Sequence, residues 1–265
     1  MKAEQGFIEV SGGRIFHEAA GSGPAVVLLH AGIADLRMWE RQMSPFVAAG
    51  YRVVRFDGRG FGRSPDPTEP FSMVEEIGEV MSGLGIERAM LVGCSLGGTL
   101  ALEFGLAYPE RVAALVLVAS GLLGFDWPPD PRREAADEAA AAGDFDRAAS
   151  LAMEVWAPLR TDPEVDALIR RMVFDNAKVD ALPDELFLMP EKRAIDHLAD
   201  ITAPTLIVEG DTDDPAIAQI ASLLSAGIPN AEHVVIPNAD HLVPLRNAEA
   251  FNREVLGFLA QACGF

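Results

Sequence analysis

The 265-residue sequence predicts an α/β fold: a mostly parallel sheet of about eight strands, helices on both faces, and one long helical insertion. Three observations predict it. Short, continuously apolar runs recur along most of the chain, as expected of strands covered on both faces. Helix-length segments separate most of these runs, which is the rhythm of crossover units in a parallel sheet. The rhythm then stops between residues 121 and 203, where helical stretches follow one another without a convincing strand.

Taken in order, residues 7–10 and 14–18 read as a hairpin, because Ser11-Gly12-Gly13 between them supplies glycine for a turn with positive φ. Runs 25–29, 52–56, 89–92, 114–118, 205–208 and 233–236 read as buried strands. Within the interruption, 132–142, 145–156, 163–176 and 191–199 read as helices, and Pro128-Pro129 and Pro204 punctuate its edges. The expected division is therefore a core of residues 1–121 and 201–265 with a helical insertion of 122–200. Alanine-rich 135–142 reads as a solvated helix. The insertion holds Trp127 and Trp156, two of the three tryptophans, together with Phe125, Phe187 and Met189. Singly such residues fill an insertion's own core. Collectively they wall a pocket, so Phe125, Trp127 and Trp156 are the candidate pocket residues.

Composition narrows the function. Hydrophobic residues at 49% and charged residues at 23% are an ordinary globular balance, so the whole chain is expected to fold. A net charge of −19 repels phosphate backbones and anionic membrane surfaces, which argues against nucleic-acid or membrane partners. No secretory signal is readable in residues 1–13, and no apolar run approaches the length of a membrane span. Cys94 and Cys263 offer no disulfide framework. Together these point to the cytoplasm.

The strongest chemical signal is Gly93-Cys94-Ser95-Leu96-Gly97-Gly98, lying between the strand run 89–92 and the helical stretch 99–107. Glycines on both sides let backbone pass close to a serine held on a tight turn, and the following helix favours developing negative charge. A serine hydroxyl needs a base at neutral pH. Of five histidines, His17 belongs to the early hairpin, His197 to the insertion, His233 to a strand and His30 to a strand end. His241 remains, in the loop after the last strand, where ligand chemistry collects in open α/β sheets. The imidazole in turn calls for a carboxylate, and the loop after strand 205–208 offers Asp211, Asp213 and Asp214. A metal reading of that cluster is weak, since nothing within it completes a ligand set. Acyl chemistry also needs two amide donors: Leu96 supplies one, and the loop 29–34 supplies the second from among small residues, with His30 supporting that loop through a side-chain hydrogen bond.

Together these residues resemble the α/β-hydrolase superfamily, and within it the small serine esterases, enol-lactonases and cofactor-free haloperoxidase or perhydrolase relatives. His30-Ala31-Gly32 looks like the family's oxyanion loop and Trp39 matches an aromatic that follows it. The resemblance implies Gly32 as the second donor, with Ala31 and Ile33 as register alternatives because alanine stands where glycine is usual. It implies Asp213 as the acid, and an architectural role for the loop Asp57-Gly58-Arg59-Gly60-Phe61-Gly62-Arg63-Ser64. It also implies that 122–200 is a cap. The expected activity is hydrolysis of small to medium carboxylic esters or lactones through an acyl-enzyme on Ser95, with no metal or organic cofactor. Rival expectations are carbon–carbon hydrolysis beside a ketone, perhydrolysis, or a ligand receptor that retains a hydrolase pocket.

Overall fold

In the computed structural model, which describes residues 4–188, 190 and 192–262, the chain opens with a hairpin of β1 (Glu4–Val10) and β2 (Gly13–Ala20). Val10 pairs directly with Gly13, so the turn is Ser11-Gly12 alone, with Gly12 at φ 72°, and Gly13 begins the second strand. There follow β3 (Ala25–Leu29), α1 (Glu40–Ala48), β4 (Arg52–Phe56), α2 (Met73–Gly83), β5 (Ala89–Cys94), α3 (Leu96–Ala107) and β6 (Val112–Val118). The insertion carries α4 (Pro131–Ala141), α5 (Phe145–Trp156) and α6 (Pro163–Asn176). The chain then completes the sheet with β7 (Thr205–Gly210), α7 (Pro215–Gly227), β8 (Glu232–Ile236), α8 (Val243–Arg246) and α9 (Ala248–Ala262).

The eight strands run in the order β1-β2-β4-β3-β5-β6-β7-β8, antiparallel in the first two pairings and parallel in the rest. Alternate side chains enter two cores. Val26, Leu28, Val53 and Val92 pack with Phe46 of α1 and Phe251 of α9, while Val27, Leu29, Val54 and Leu91 pack with Ile77 of α2, Phe104 of α3 and Leu224 of α7. Cover on both faces explains the continuous apolar runs. β8 departs from that expectation: it is the edge strand, Ile236 is its one buried residue, and Val235 is 49% exposed.

Local chemistry fixes the helix starts. α4, α6 and α7 each begin at a proline preceded by aspartate, and Asp130, Asp162 and Asp214 accept hydrogen bonds from amides of Arg132, Glu164 and Ala216. Over the described part, 192–199, of the helix expected at 191–199 no continuous helix forms. Two single 3-10 turns, Ala194–Asp196 and Leu198–Asp200, stand there instead. The amide of Ala194 donates to Glu103 (3.0 Å) and that of Ile195 to the Leu123 carbonyl (3.3 Å), so tertiary partners take donors that a continuous helix would organise. Met189, Glu191 and Cys263 lie outside the described residues. Alanine-rich α4 is solvated on one side only, since Ala139 and Ala140 pack against Ala148 of α5. Met153 of α5 and Ile169 and Met172 of α6 join the same core as Trp39 and Phe46. No helix among the described residues is long and apolar enough to cross a membrane.

Candidate active site

Ser95 is the single residue between the end of β5 and the start of α3. It has φ 53° and ψ −112°, a conformation that costs a non-glycine residue roughly 1–3 kcal/mol. Close packing holds it there. A Cβ on Gly93 would lie 2.1 Å from the Gly97 carbonyl oxygen, and one on Gly97 2.3 Å from that of Leu29, so only glycine fits at either position. The Ser95 amide donates to Val118 O (2.9 Å), and its carbonyl accepts from Thr99 (3.0 Å) and Gly121 (3.2 Å).

The loops after β7 and β8 start side by side, where Gly210 pairs with Ile236. They are fastened by the Ala239 amide donating to Asp211 Oδ1 (3.2 Å) and the Thr212 amide donating to Ala239 O (3.0 Å). Asp213 is thereby set against His241, whose Nδ1 stands 3.1 and 3.0 Å from the two carboxylate oxygens. Both side chains are buried, at 2% and 4% exposure. A proton shared between Nδ1 and Asp213 leaves Nε2 free to accept another. The neighbouring aspartates are engaged elsewhere: Asp211 in the loop fastening, and Asp214 in capping α7 and in an ion pair with Arg133 of α4 at 3.1 Å.

Cys94, the residue before Ser95, contacts the His241 carbonyl oxygen through Sγ at 3.5 Å. The Ser95 hydroxyl is hydrogen-bonded to neither His241 nor Asp213 in this structure. Burial pushes the Cys94 thiol well above its ordinary range, which removes it as a competing nucleophile. The Trp156 ring lies 4.6 Å from the imidazole, Trp127 packs edge-on against Trp156 at 6.2 Å, and Phe125 against Trp127 at 5.4 Å. These three aromatics form a chain that ends on His241. They do not line the cavity of about 650 Å³ that opens beside Gly32 and Leu96 and is walled by Phe61, Met73, Leu100 and Phe187.

Gly32 packs directly on the start of α3: a Cβ there would touch Leu96 at 3.7 Å. The Ala31 amide is already given to Met38 Sδ (3.3 Å), which leaves Gly32 and Ile33 of the three register alternatives. His30 secures this loop. Its Nδ1 donates to Ala31 O (2.9 Å), its Nε2 accepts from the Gly58 amide (3.0 Å), and its ring packs on Phe61. Burial lowers its pKa, in keeping with a neutral ring that donates at one nitrogen and accepts at the other. Asp57 braces the loop that carries Gly58, accepting from the amides of Leu36 and Arg63, both at 2.8 Å.

Several supporting residues carry no motif of their own. Asp240, next to His241, is fully buried with Arg246 at 2.9 Å, and it accepts from the Leu159 amide of the insertion at 3.1 Å. Arg246 also donates to Leu159 O at 2.8 Å. Asn176 of α6 donates to Asp35 and accepts from the Gly62 amide, both at 2.9 Å. The one sequence signal for the first cluster is an aspartate directly before the loop histidine with an arginine on the following helical turn. Among the described residues no group of three or more histidines, cysteines and carboxylates is arranged to hold a metal ion.

Comparison with known proteins agrees with this architecture. A family model described as alpha/beta hydrolase fold matches residues 24–248. Over 277 aligned residues the chain is 31% identical to a 2-hydroxy-6-oxo-6-phenylhexa-2,4-dienoate hydrolase of Burkholderia cepacia, covering 93% of this chain and 91% of that one. It is similar to the solved structure of a carboxylesterase from Bacillus subtilis, with TM-score 0.81, 25% identity, and 98% and 93% of the two chains covered. A solved enzyme that degrades N-acyl homoserine lactones gives TM-score 0.79 and 29% identity, with 96% and 100% covered.

Proposed function

The chain belongs to the α/β-hydrolase family, and from that premise we propose that it is a serine hydrolase that cleaves small to medium carboxylic esters or lactones. The observation that carries this reading is the His241–Asp213 pair, set on adjoining loops at the sheet rim where the positive-φ Ser95 opens α3. In the proposed cycle Ser95 Oγ attacks the carbonyl as His241 Nε2 takes its proton. The amides of Leu96 and Gly32 hold the oxyanion, and His241 returns the proton to the departing alcohol. Water then attacks the acyl-enzyme with His241 as base again, releasing acid and free Ser95. Asp213 stays ionised, keeping the proton on Nδ1 and balancing the transient imidazolium. Residues 1–121 and 201–265 are the catalytic core in this reading and 122–200 the cap, whose Trp156 rests on the base and whose Leu159 is tied to Asp240.

The test is release of p-nitrophenol from short-chain p-nitrophenyl esters by the purified protein. Ser95→Ala is expected to abolish release with an unchanged circular dichroism spectrum, and Asp213→Asn to lower kcat by about 10³–10⁴-fold. Asp211→Asn is expected to retain turnover. Equal rates for the wild type and Ser95→Ala would end the proposal. A second reading, hydrolysis of a carbon–carbon bond beside a ketone, is favoured by the 31% identity to a dienoate hydrolase. Including a vinylogous diketone in the same panel separates the two by rate.

A further inference from the structure

The cavity beside Gly32 and Leu96 has a one-signed lining. Its walls are apolar except for Thr99 and four carboxylates, Glu103, Asp137, Asp180 and Asp184, and its described lining residues include no lysine, arginine or histidine. Elsewhere in the chain several buried acids have cations, Asp35 with Arg37, Glu76 with Arg59 and Asp240 with Arg246, whereas buried Asp57 is held by amides alone. Among the described residues none of the four cavity acids takes part in an ion pair; Asp137, Asp180 and Asp184 are exposed, and Glu103 is the buried one. Glu103 is the most telling of them. It is 4% exposed, and its Oε1 accepts from the Ala194 amide at 3.0 Å. His197 is near enough to influence it electrostatically, yet is itself paired with Asp200 at 3.0 Å.

A buried carboxylate without a cation is costly, and the cost is relieved when a ligand brings the opposite charge. Asp137 and Asp180 face the same space from α4 and from the turn after α6. Crowding of its carboxyl by protein, with the Asp137 charge opposite, pushes Asp180 up to about 6, although the residue as a whole is exposed. A ligand cation there would relieve that repulsion as well.

Resting on the reading of Ser95, Gly32 and Leu96 as an acyl-transfer centre, we propose that this cavity selects acyl substrates carrying a protonated amine and discriminates against those carrying a carboxylate. Glu103 and the Asp137–Asp180 pair are the specificity-determining residues. The apolar wall of Phe61, Leu100 and Phe187 takes the alkyl stem, and the amine reaches the acids beyond it.

The test compares kcat/KM for p-nitrophenyl esters of aminohexanoic, hexanoic and adipic acid, which present a cation, no charge and an anion on similar stems. At neutral pH and low salt the expected order is amine, neutral, acid, with roughly tenfold steps that shrink as salt rises. Glu103→Gln keeps an acceptor for the Ala194 amide, and Asp137→Asn with Asp180→Asn alters two exposed acids of the lining. Each variant is expected to bring the amine-to-acid ratio toward one. An adipate ester cleaved as fast as the hexanoate by the wild type, or ratios unmoved in both variants, would overturn the proposal. A wild type that cleaves none of the three would instead count against Ser95 as nucleophile. In that event calorimetric binding of hexylamine, hexanol and hexanoate reads the charge preference without turnover, and equal binding of the three would overturn it too.

Discussion

Asp57 shows what the sheet rim demands of one carboxyl. Burial outweighs the two amide donors that favour its charge, and with Asp35 close by it is pushed up to about 7. Between its ordinary range and that value the folded chain binds a proton that the unfolded chain has released. Stability from this group is thus full at acid pH and is lost as pH climbs through about 7. Asp57→Asn is expected to flatten that fall, which urea midpoints of both proteins measured from about pH 4 to pH 8 would show; parallel curves would count against it. The turn at Ser95 and the rim position of His241 were legible in the sequence because each sits in a local pattern, glycines around a serine and a histidine just past the last strand. The carboxylate that faces His241 was legible only to within three neighbours. Which aspartate turns inward depends on the Ala239 amide claiming Asp211 and on Arg133 claiming Asp214, contacts between distant segments that no local pattern encodes.

Among the elements, the strand-to-helix turn at Ser95 is the least forgiving. Gly97→Ala would drive a Cβ to 2.3 Å from a backbone oxygen that cannot rotate away, and a loss of more than about 3 kcal/mol is expected, seen as insolubility or a collapsed thermal transition. Gly257 in α9 is the matching control, with open space around it, and Gly257→Ala is expected to raise stability by about 0.5–1 kcal/mol. A Gly97→Ala protein as stable as the wild type would refute the packing argument. Strand positions were readable because burial on two faces leaves continuous apolar runs. At β8 the same composition hides an edge, since Val235 looks alike in sequence whether a helix covers it or not. The absence of a continuous helix over 192–199 was unreadable for a related reason: the Glu103 and Leu123 acceptors that draw its amides away lie far along the chain.

For the molecule as a whole, the question is how residues 122–200 hold to the rest. Asn176 bridges α6 to the loops after β3 and β4, and Asn176→Ala would leave Gly62 and Asp35 each short of a partner. A loss of about 1–3 kcal/mol is expected, with amide hydrogen exchange rising first in α5 and α6; unchanged exchange there would argue against the bridge. The sequence shows that these helices have apolar faces. It does not show that the faces merge with the core around Trp39, because spacing reveals a stripe and not what lies upon it. The Leu159–Asp240 and Arg133–Asp214 links have a practical corollary. Each ends one residue from His241 or Asp213, so exchanging this segment for a homologue's to retune specificity would sever the moorings of both. A chimera of that kind inherits a misaligned imidazole even when every residue of the recipient scaffold is kept, unless the donor carries equivalents of Leu159 and Arg133.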